Sequence, residues 1–580
     1  MSHPSTGILF LSLLTGIFMQ TAVPAQNPPR ERILLDRDWR FKKADPPPAG
    51  KDTNPSSYSR LKSWILPAGN AFLKDPSKHF TRPAGNPGED TPYTQIGFSD
   101  LEWEKVNLPH DWAIAGPFNI GGADGAMGRL PVPGIGWYRK RLDIPASAAG
   151  KSLFLEIDGA MSYATVWLNG RLVGGWPYGY ASWQLDLTPY VVPGRANQLA
   201  IRLENPCDSS RWYSGAGLYR HVWLIETQSI HVGEWGTFVT TPRVSSDAAT
   251  IDLKATVDND AQADAVVNID TAIYPLNADG KTHGNLVAAM KTVTVTIPAR
   301  GHSEIESSAV VLKPRLWGPV PTQKPNRYIA VTTISRQGAA LDRYETPFGI
   351  RRMEYKPDGL YLNGERIRIQ GVNLHHDLGA LGAAFNVRAA ERQLQELQEM
   401  GCNAIRTSHN PPAPELLELT DRMGFLVLDE IFDAWVRQKT PFDFHLLFPE
   451  WHEQDLRAFI RRDRNHPSVF LWSVGNEVGE QDSGETGAKV ARELVSIAHD
   501  EDRTRPVTAS MNAAAPDSSF AVPFDVISLN YQGEGVRDIP AFANTKGMKK
   551  PPEYDAFRKE FPKRLMIASE TAATFSSRDT

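Results

Sequence analysis

Two cysteines in 580 residues exclude a disulfide framework. Cys207 follows Asn205-Pro206 in a loop-like stretch and Cys402 opens the apolar run Cys402-Asn403-Ala404-Ile405, so a cysteine-built metal site is excluded as well. Charge of one sign is also scarce. The formal net charge of -5 is small for this length and no basic stripe stands out, which removes nucleic acid from the list of partners. Long hydrophobic runs are missing too. The apolar run from Ile8 to Met19 is shorter than the ~20 residues a helix needs to cross a bilayer. It has the length of a signal-peptide core, and Val23-Pro24-Ala25 supplies small residues before a cut. The segment before it carries no Lys or Arg, only His3, and no Cys follows that could take a lipid. Residues 1–25 are therefore expected to be a signal peptide. The mature chain is expected in the periplasm or the medium, with no membrane association after cleavage. No internal repeat or low-complexity tract is present.

What is abundant points to β structure. Aromatics make up 9%, with 15 Trp, beside 44 Pro and 45 Gly, a composition suited to strands, loops and pockets lined by flat rings. From about Arg32 to Glu226 short apolar or alternating runs are separated by turn residues. Ser152 to Ile157, Ala164 to Gly170 and His221 to Ile225 are examples, and the spacing predicts a sandwich or jelly roll. Leu168-Asn169-Gly170-Arg171-Leu172 predicts a hairpin, because Asn-Gly tolerates the positive φ of a type I′ turn. A second β stretch, about Ser229 to Gly349, alternates through Thr250 to Val257 and Thr292 to Ile297 and has the size of an immunoglobulin-like sandwich.

Beyond about Arg351 the period changes. Ile367 to Val372, Ala404 to Arg406, Gly424 to Glu430, Val469 to Val474, Val507 to Ser510, Val526 to Asn530 and Leu565 to Ala568 read as strands. Helical patterns lie between them, at about Arg388 to Met400 and at Pro414 to Met423. Strand-then-helix repetition implies a parallel sheet covered on both faces, and seven such units predict a (β/α)8 TIM barrel. No eighth strand or closing helix follows before Thr580, so the barrel is expected to be incomplete and the chain truncated. The expected domains are a jelly roll over 26–228, a sandwich over 229–350 and the barrel over 351–580. Asp45 to Gly50 and Lys549 to Pro552 read as loops.

Reactive groups in such a barrel stand at the C-terminal ends of the strands. Those ends read Asn373-Leu374-His375-His376-Asp377, Arg406-Thr407-Ser408-His409-Asn410, Asp429-Glu430, Gly475-Asn476-Glu477, Asn530-Tyr531 and Ser569-Glu570. A single Glu after a strand is usually a cap or an ion-pair member. The pair Glu477 and Glu570 is different, because glycosidic cleavage needs one carboxylic acid for the leaving oxygen and a second carboxylate for the oxocarbenium-like centre. Asn476 is suited to hold a sugar 2-hydroxyl, or else caps the next helix. The Tyr531 hydroxyl is placed to bond Glu570, or else is a rim aromatic.

The stretches Gly371 to Asp377, Asn403 to Pro412, Leu428-Asp429-Glu430 and Trp472 to Glu477 resemble, in letters, order and spacing, the signature of glycoside hydrolase family two. That is the family of β-galactosidases, β-glucuronidases and β-mannosidases. The resemblance extends to Leu108 to Trp112, Gly136 to Arg139 and Gly217 to Arg220 in the first domain, and to Phe348 to Arg351 at the end of the second. It implies a retaining exo-β-glycosidase of the β-galactosidase branch, with Glu477 as acid/base and Glu570 as nucleophile. It further implies that Asn476, Tyr531, Arg406, His409, Asn410 and His375 or His376 line the sugar subsite, His375 being favoured because it directly follows the strand end. Arg406 has an alternative as the structural partner of Glu430, and His409 as a plain loop histidine.

One departure bears on metals. Magnesium-dependent β-galactosidases of this family carry a Glu and a His shortly after the strand-three Asp-Glu, where this chain reads Ile431-Phe432-Asp433-Ala434-Trp435-Val436. No metal and no cofactor are expected, with Asp433 the one carboxylate that would revive the idea. Trp435 is either a platform for the apolar face of a sugar or a core residue. The expected partner is a β-galactoside of an oligo- or polysaccharide, and the sequence leaves homo-oligomer formation open. Two other readings remain: a β-glucuronidase, whose usual Asn and Lys would lie beyond Thr580, and an inactive carbohydrate-binding chain. Ser569 to Ala572 and Thr574 to Arg578 look more like the galactosidase branch.

Overall fold

The computed structural model describes residues 29–45, 57–117, 129–130, 132–532 and 552–571. The expected signal segment, the stretches 46–50 and 549–551 read as loops, and Thr574 to Arg578 lie outside these residues.

The first third of the chain folds into two antiparallel sheets. Glu31–Leu34, Val222–Thr227, Ser152–Ile157 and Trp183–Asp186 form a four-stranded sheet in that spatial order. Glu104–Val106, Trp39–Lys43, Gly134–Ile144, Arg195–Asn205, Ala164–Leu168 and Arg171–Trp176 form a six-stranded one. Their inner faces share a core that includes Trp39, Tyr138, Leu155, Val166, Trp183 and Ile201. The predicted hairpin is present, with Asn169 and Gly170 both at positive φ (56° and 76°), as a type I′ turn requires. The strand-only reading missed a helix at Ser57–Ile65, which leads into a short 3-10 helix. Tyr58 and Phe72 from this insertion pack against the same core.

The second unit is a sandwich. Ile230–Val244, Ala248–Asn259 and Gly301–Leu312 form one sheet, and strands around Ala265–Leu276 and Arg327–Arg336 form the other. Alternation places Ile251, Leu253, Ala255 and Val257 inward, because successive side chains of a strand face opposite ways.

The third unit is a seven-stranded parallel sheet in chain order. Its strands are β1 (Gly371–Leu374), β2 (Ala404–Thr407), β3 (Leu426–Glu430), β4 (Val469–Asn476), β5 (Val507–Met511), β6 (Ile527–Asn530) and β7 (Met566–Glu570). Helices α1 (Val387–Glu399), α2 (Pro414–Met423), α3 (Phe448–Asp463), α4 (Glu485–Glu501) and α5 (Tyr554–Glu560) come between strands. Every residue of β3 and β4 is buried, as befits strands covered on both faces. In α1 the Asn386 side chain caps the Ala389 N–H at 2.9 Å, and Ala390, Leu394 and Leu397 form its inward stripe. Helix α2 starts at Pro414 and stops at Gly424, whose φ of 77° closes it in the left-handed region.

The run read as one strand from Ile367 to Val372 divides in two. Glu365–Ile367 pairs antiparallel with Gly359–Leu362, while β1 begins at Gly371. Asn403 takes over the backbone between them, accepting from Gln370 N at 2.9 Å and donating its own N–H to Gln370 O at 2.8 Å. Leu360, Leu362 and Ile367 then join Ala404, Leu426, Phe470, Val526 and Leu565 in an apolar cluster at the N-terminal ends of the barrel strands. The polar residues are left at the opposite ends.

The first and third units are joined by directed contacts. Trp176 donates to Asp455 at 2.8 Å, Tyr178 to the Ile431 carbonyl at 2.6 Å, and Arg220 to the Pro411 carbonyl at 2.8 Å. Both of the first two run from the hairpin side of the jelly roll to β3 and α3, and they hold its loops over the barrel mouth.

Candidate active site

Strand β4 delivers Asn476 as its last residue and Glu477 just beyond it. Gly475 lies against the Trp435 ring, where an added Cβ would meet it at 2.9 Å. Glu477 has a φ of 45°, a conformation that non-glycine residues adopt at a cost, and its N–H donates to Ser510 O at 2.8 Å. Tyr531, after β6, has a φ of 55° and donates its N–H to the Glu570 carbonyl at 2.8 Å. Backbone strain of this kind gathers at two of these strand ends, after β4 and after β6, and turns side chains into the mouth.

The two glutamates meet through Asn530. Its amide nitrogen donates to Glu477 Oε1 at 2.9 Å and to Glu570 Oε2 at 3.4 Å. Those two oxygens therefore lie no more than 6.3 Å apart, the length of the two bonds end to end. Glu570 also accepts from Arg406 Nη1 at 3.1 Å and from the Tyr531 hydroxyl.

Arg406 is the hub of a buried network. It meets Glu430 through Nη2 at 2.8 Å and Nε at 3.2 Å, Glu570 through Nη1, and Asn476 Oδ1 through Nη2 at 2.8 Å. Burial opposes its charge, but Glu430 and Glu570 more than offset this and raise its pKa. One guanidinium thus touches both Glu430 and the candidate site carboxylate Glu570. Glu430 also takes Ser473 Oγ at 2.6 Å and His409 Nδ1 at 2.6 Å. Burial pushes its carboxyl up to about 7 against the pull of Arg406.

His409 is held well below its ordinary pKa by burial and by Arg406, so its ring is neutral and Nδ1–H donates to Glu430. The adjacent histidines part ways. The His375 ring sits 4.6 Å from Trp212 and 5.4 Å from His409, and burial lowers it to about 4. The His376 ring turns between Tyr180 and Tyr219, at 5.1 Å and 5.5 Å, and lines a neighbouring cavity that His375 borders too. Asn410 lines that same cavity with Leu378 and Phe385 and, among the described residues, joins none of the hydrogen bonds around the two glutamates.

Trp435 corrects the platform expectation. Its exposure is 0%, its Nε1 donates to Val474 O at 2.8 Å, and its ring packs on Phe448 and Phe520. The β4 backbone and α3 enclose it, so no ring face is left for a ligand. The aromatic beside the site is Trp212, from the jelly roll, with ring centroids 4.6 Å from His375 and 4.5 Å from His409. Its one signal in the sequence was a tryptophan inside the turn-rich Ser209 to Gly217 segment.

Asp433 faces cations. Arg211 reaches it through Nη2 at 2.8 Å and Nε at 3.1 Å, Lys439 at 2.7 Å, and Asn476 Nδ2 at 2.9 Å. Burial works against its ionisation, yet Arg211 and Lys439 hold its carboxyl far below the usual carboxylate range. Among the described residues no group of His, Cys, Asp and Glu has the arrangement of a metal site.

Comparison with known proteins agrees with the architecture. Residues 353–570 match the model described as glycosyl hydrolases family 2, TIM barrel domain. Residues 230–351 match glycosyl hydrolases family 2, and 136–228 its galactose-binding domain-like model. The chain is 41% identical over 494 residues to the β-galactosidase BoGH2A of Bacteroides ovatus, which covers 78% of this chain and 56% of that protein. It is 34% identical to a putative β-glucuronidase of Formosa agariphila, over 73% of this chain and 38% of that protein. A solved structure of a glycosyl hydrolase family 2 member from Bacteroides cellulosilyticus superposes with a TM-score of 0.78 at 32% identity, covering 93% of this chain and 61% of that one. The chain thus spans about half the length of the curated relatives it matches. It belongs to glycosyl hydrolase family 2.

Proposed function

We propose that this family member is a retaining exo-β-glycosidase that acts as a β-galactosidase, with Glu477 as acid/base and Glu570 as nucleophile. The observation that carries the reading is the shared Asn530 donor, which brings the two carboxylates together at the barrel mouth. A separation of ~5–5.5 Å suits attack by one carboxylate on the anomeric carbon while the other protonates the leaving oxygen. Roles follow from the surroundings. Glu570 is met by Tyr531, Arg406 and Asn530, as suits a group that must attack as an anion. Glu477 has Asn530 as its one side-chain donor among the described residues and is partly open to solvent, as suits a group that gives a proton to the leaving oxygen and later takes one from water. Arg406, Asn476, His375 and His409 would then surround the sugar.

The galactoside is supported by the similarity to BoGH2A, named a β-galactosidase. A second reading, β-glucuronidase, is favoured by the name of the 34% identical Formosa agariphila protein. Nitrophenyl β-galactoside, β-glucuronide and β-mannoside, offered to the full-length protein, separate them. The galactoside should be hydrolysed fastest, with the β-anomer of the sugar released first. Fastest turnover of the glucuronide would transfer the assignment, first release of the α-anomer would reject retention, and turnover of none would reject the enzyme in favour of a carbohydrate-binding chain. Export is proposed with it, from the apolar run Ile8 to Met19, and the N-terminal sequence of the mature protein tests that.

A further inference from the structure

We propose that Arg211, on the loop after jelly-roll strand Arg195–Asn205, is a positioning residue for recognition of the sugar 2-hydroxyl, acting through Asp433 on Asn476. The proposal rests on the retaining-glycosidase reading. Asn476 has one carbonyl oxygen and two amide hydrogens to distribute. Its oxygen accepts from Arg406 at 2.8 Å and one amide hydrogen goes to Asp433 Oδ1 at 2.9 Å. This fixes which end of the amide is which and leaves the second N–H and one lone pair for a ligand beside Glu477.

The acceptor that sets this orientation is itself held from the other domain. Arg211 grips both oxygens of Asp433, at 2.8 Å and 3.1 Å, in the forked geometry a guanidinium offers. Lys439 adds a single contact to Oδ1 at 2.7 Å, and a point charge does not fix the plane of a carboxylate as a fork does. The loop bearing Arg211 is anchored to the barrel as well, since Phe442 N donates to Asp208 O at 3.0 Å, and within the loop the Arg211 guanidinium lies over the Trp212 ring at 4.3 Å. The jelly roll therefore supplies the outer end of a chain that runs Arg211, Asp433, Asn476 and then substrate. Contacts to the 2-hydroxyl strengthen in the transition state of this reaction, so a loosened Asn476 is felt in rate rather than in folding.

The test uses a nitrophenyl β-glycoside and its 2-deoxy analogue on the full-length enzyme. Arg211→Met keeps the apolar stem over Trp212 and removes the fork. It should lower kcat/KM for the 2-hydroxy glycoside by roughly tenfold or more and leave the 2-deoxy compound within about threefold. Arg211→Lys should fall between Arg211→Met and wild type. Should Arg211→Met not fold, Arg211→Lys and Asp433→Asn carry the same comparison. Equal losses on both substrates mean a merely structural role and overturn the proposal. If Asn476→Ala erases the preference for the 2-hydroxy substrate while Arg211→Met retains it, the relay is wrong and the glycosidase reading stands. If Asn476→Ala leaves that preference intact, the role of Asn476 fails and the proposal fails with it.

Discussion

Asn530 donates one amide nitrogen to both Glu477 and Glu570. An amide in that position does two things that a cation would not do. It spaces the two carboxyl groups without neutralising either, and it yields a hydrogen bond to whichever of them gains charge as the reaction proceeds. The glutamates are not left as a bare pair of like charges, because Arg406 and the Tyr531 hydroxyl both donate to Glu570. The environment is lopsided, and the two carboxyl groups should have unequal roles.

Replacing Glu570 by Gln should abolish hydrolysis of every β-glycoside, by roughly 10⁴-fold or more, since no carboxylate remains to capture the anomeric carbon. Replacing Glu477 by Ala should spare the first step for nitrophenyl leaving groups, which need little protonation, and slow the second. Added azide should rescue that variant and give the β-glycosyl azide, read by NMR of the product. An α-azide from the Glu477 variant, or the same anomer from both rescued variants, would reverse the assignment.

The two tryptophans near the site should separate stability from binding. Trp435 is enclosed between β4 and α3, and Trp435→Ala should cost about 3–5 kcal/mol in denaturant unfolding. Trp212 is half-buried against His375 and His409, so Trp212→Ala should cost about 1 kcal/mol while KM rises several-fold. The reverse ordering of the two unfolding free energies would show that the jelly-roll loop, not the barrel, supports the core here.

Much of the barrel was legible because β3 and β4 are continuous apolar runs that end in charge, a pattern few other folds need. The glutamate pair was legible for the same reason, since strand ends in a barrel share one rim. Less legible was β1, where two short strands from different sheets adjoin and only the side chain of Asn403 marks the break. Least legible were the contacts across the domain interface. Arg211 and Asp433 are 222 positions apart and lie in the jelly roll and the barrel respectively, so no periodicity connects them. Asn530 was visible as a strand end but not as a bridge, because that role depends on Glu477 after β4 and Glu570 on β7, which only the curl of the sheet brings to it. Trp435 was left undecided by the sequence, as burial of a loop tryptophan is set by whatever closes over it.

The crowding around Asp433 leads to a prediction about metals. An incoming divalent ion would have to displace Arg211 and Lys439 from its oxygens, and Glu430 is already committed to Arg406, Ser473 and His409. The full-length enzyme should keep its activity after exhaustive dialysis against a chelator. Activity that vanishes on chelation and returns with magnesium would require a ligand set other than this one.

Two buried histidines, His375 and His376, make stability depend on pH in a defined direction. Burial lowers His376 to about 3 and His375 to about 4, from an ordinary value of 6.5. Arg220 and His375 add to the depression of His376 and Asn410 and the Ser214 backbone oppose it, while the flanking rings of Tyr180 and Tyr219 are uncharged. Between the folded and unfolded values the unfolded chain binds more protons than the native one, so stability rises with pH across that window. The contribution is complete above 6.5 and is lost as pH falls toward about 3, by an amount on the order of a few kcal/mol for His376. Carboxylates titrate in the same range, so the wild-type slope alone does not identify its source. His376→Gln isolates it, because a glutamine stays neutral throughout and its ring-sized space lies off the glutamate pair, beside Asn410. The difference in urea unfolding free energy between about pH 7 and about pH 4.5 should therefore be smaller in the variant by on the order of 1–3 kcal/mol, whatever the substitution does at neutral pH. Parallel curves for the two proteins would mean that His376 takes up no proton on unfolding in this range, and that the ring is charged or freely hydrated in the native fold.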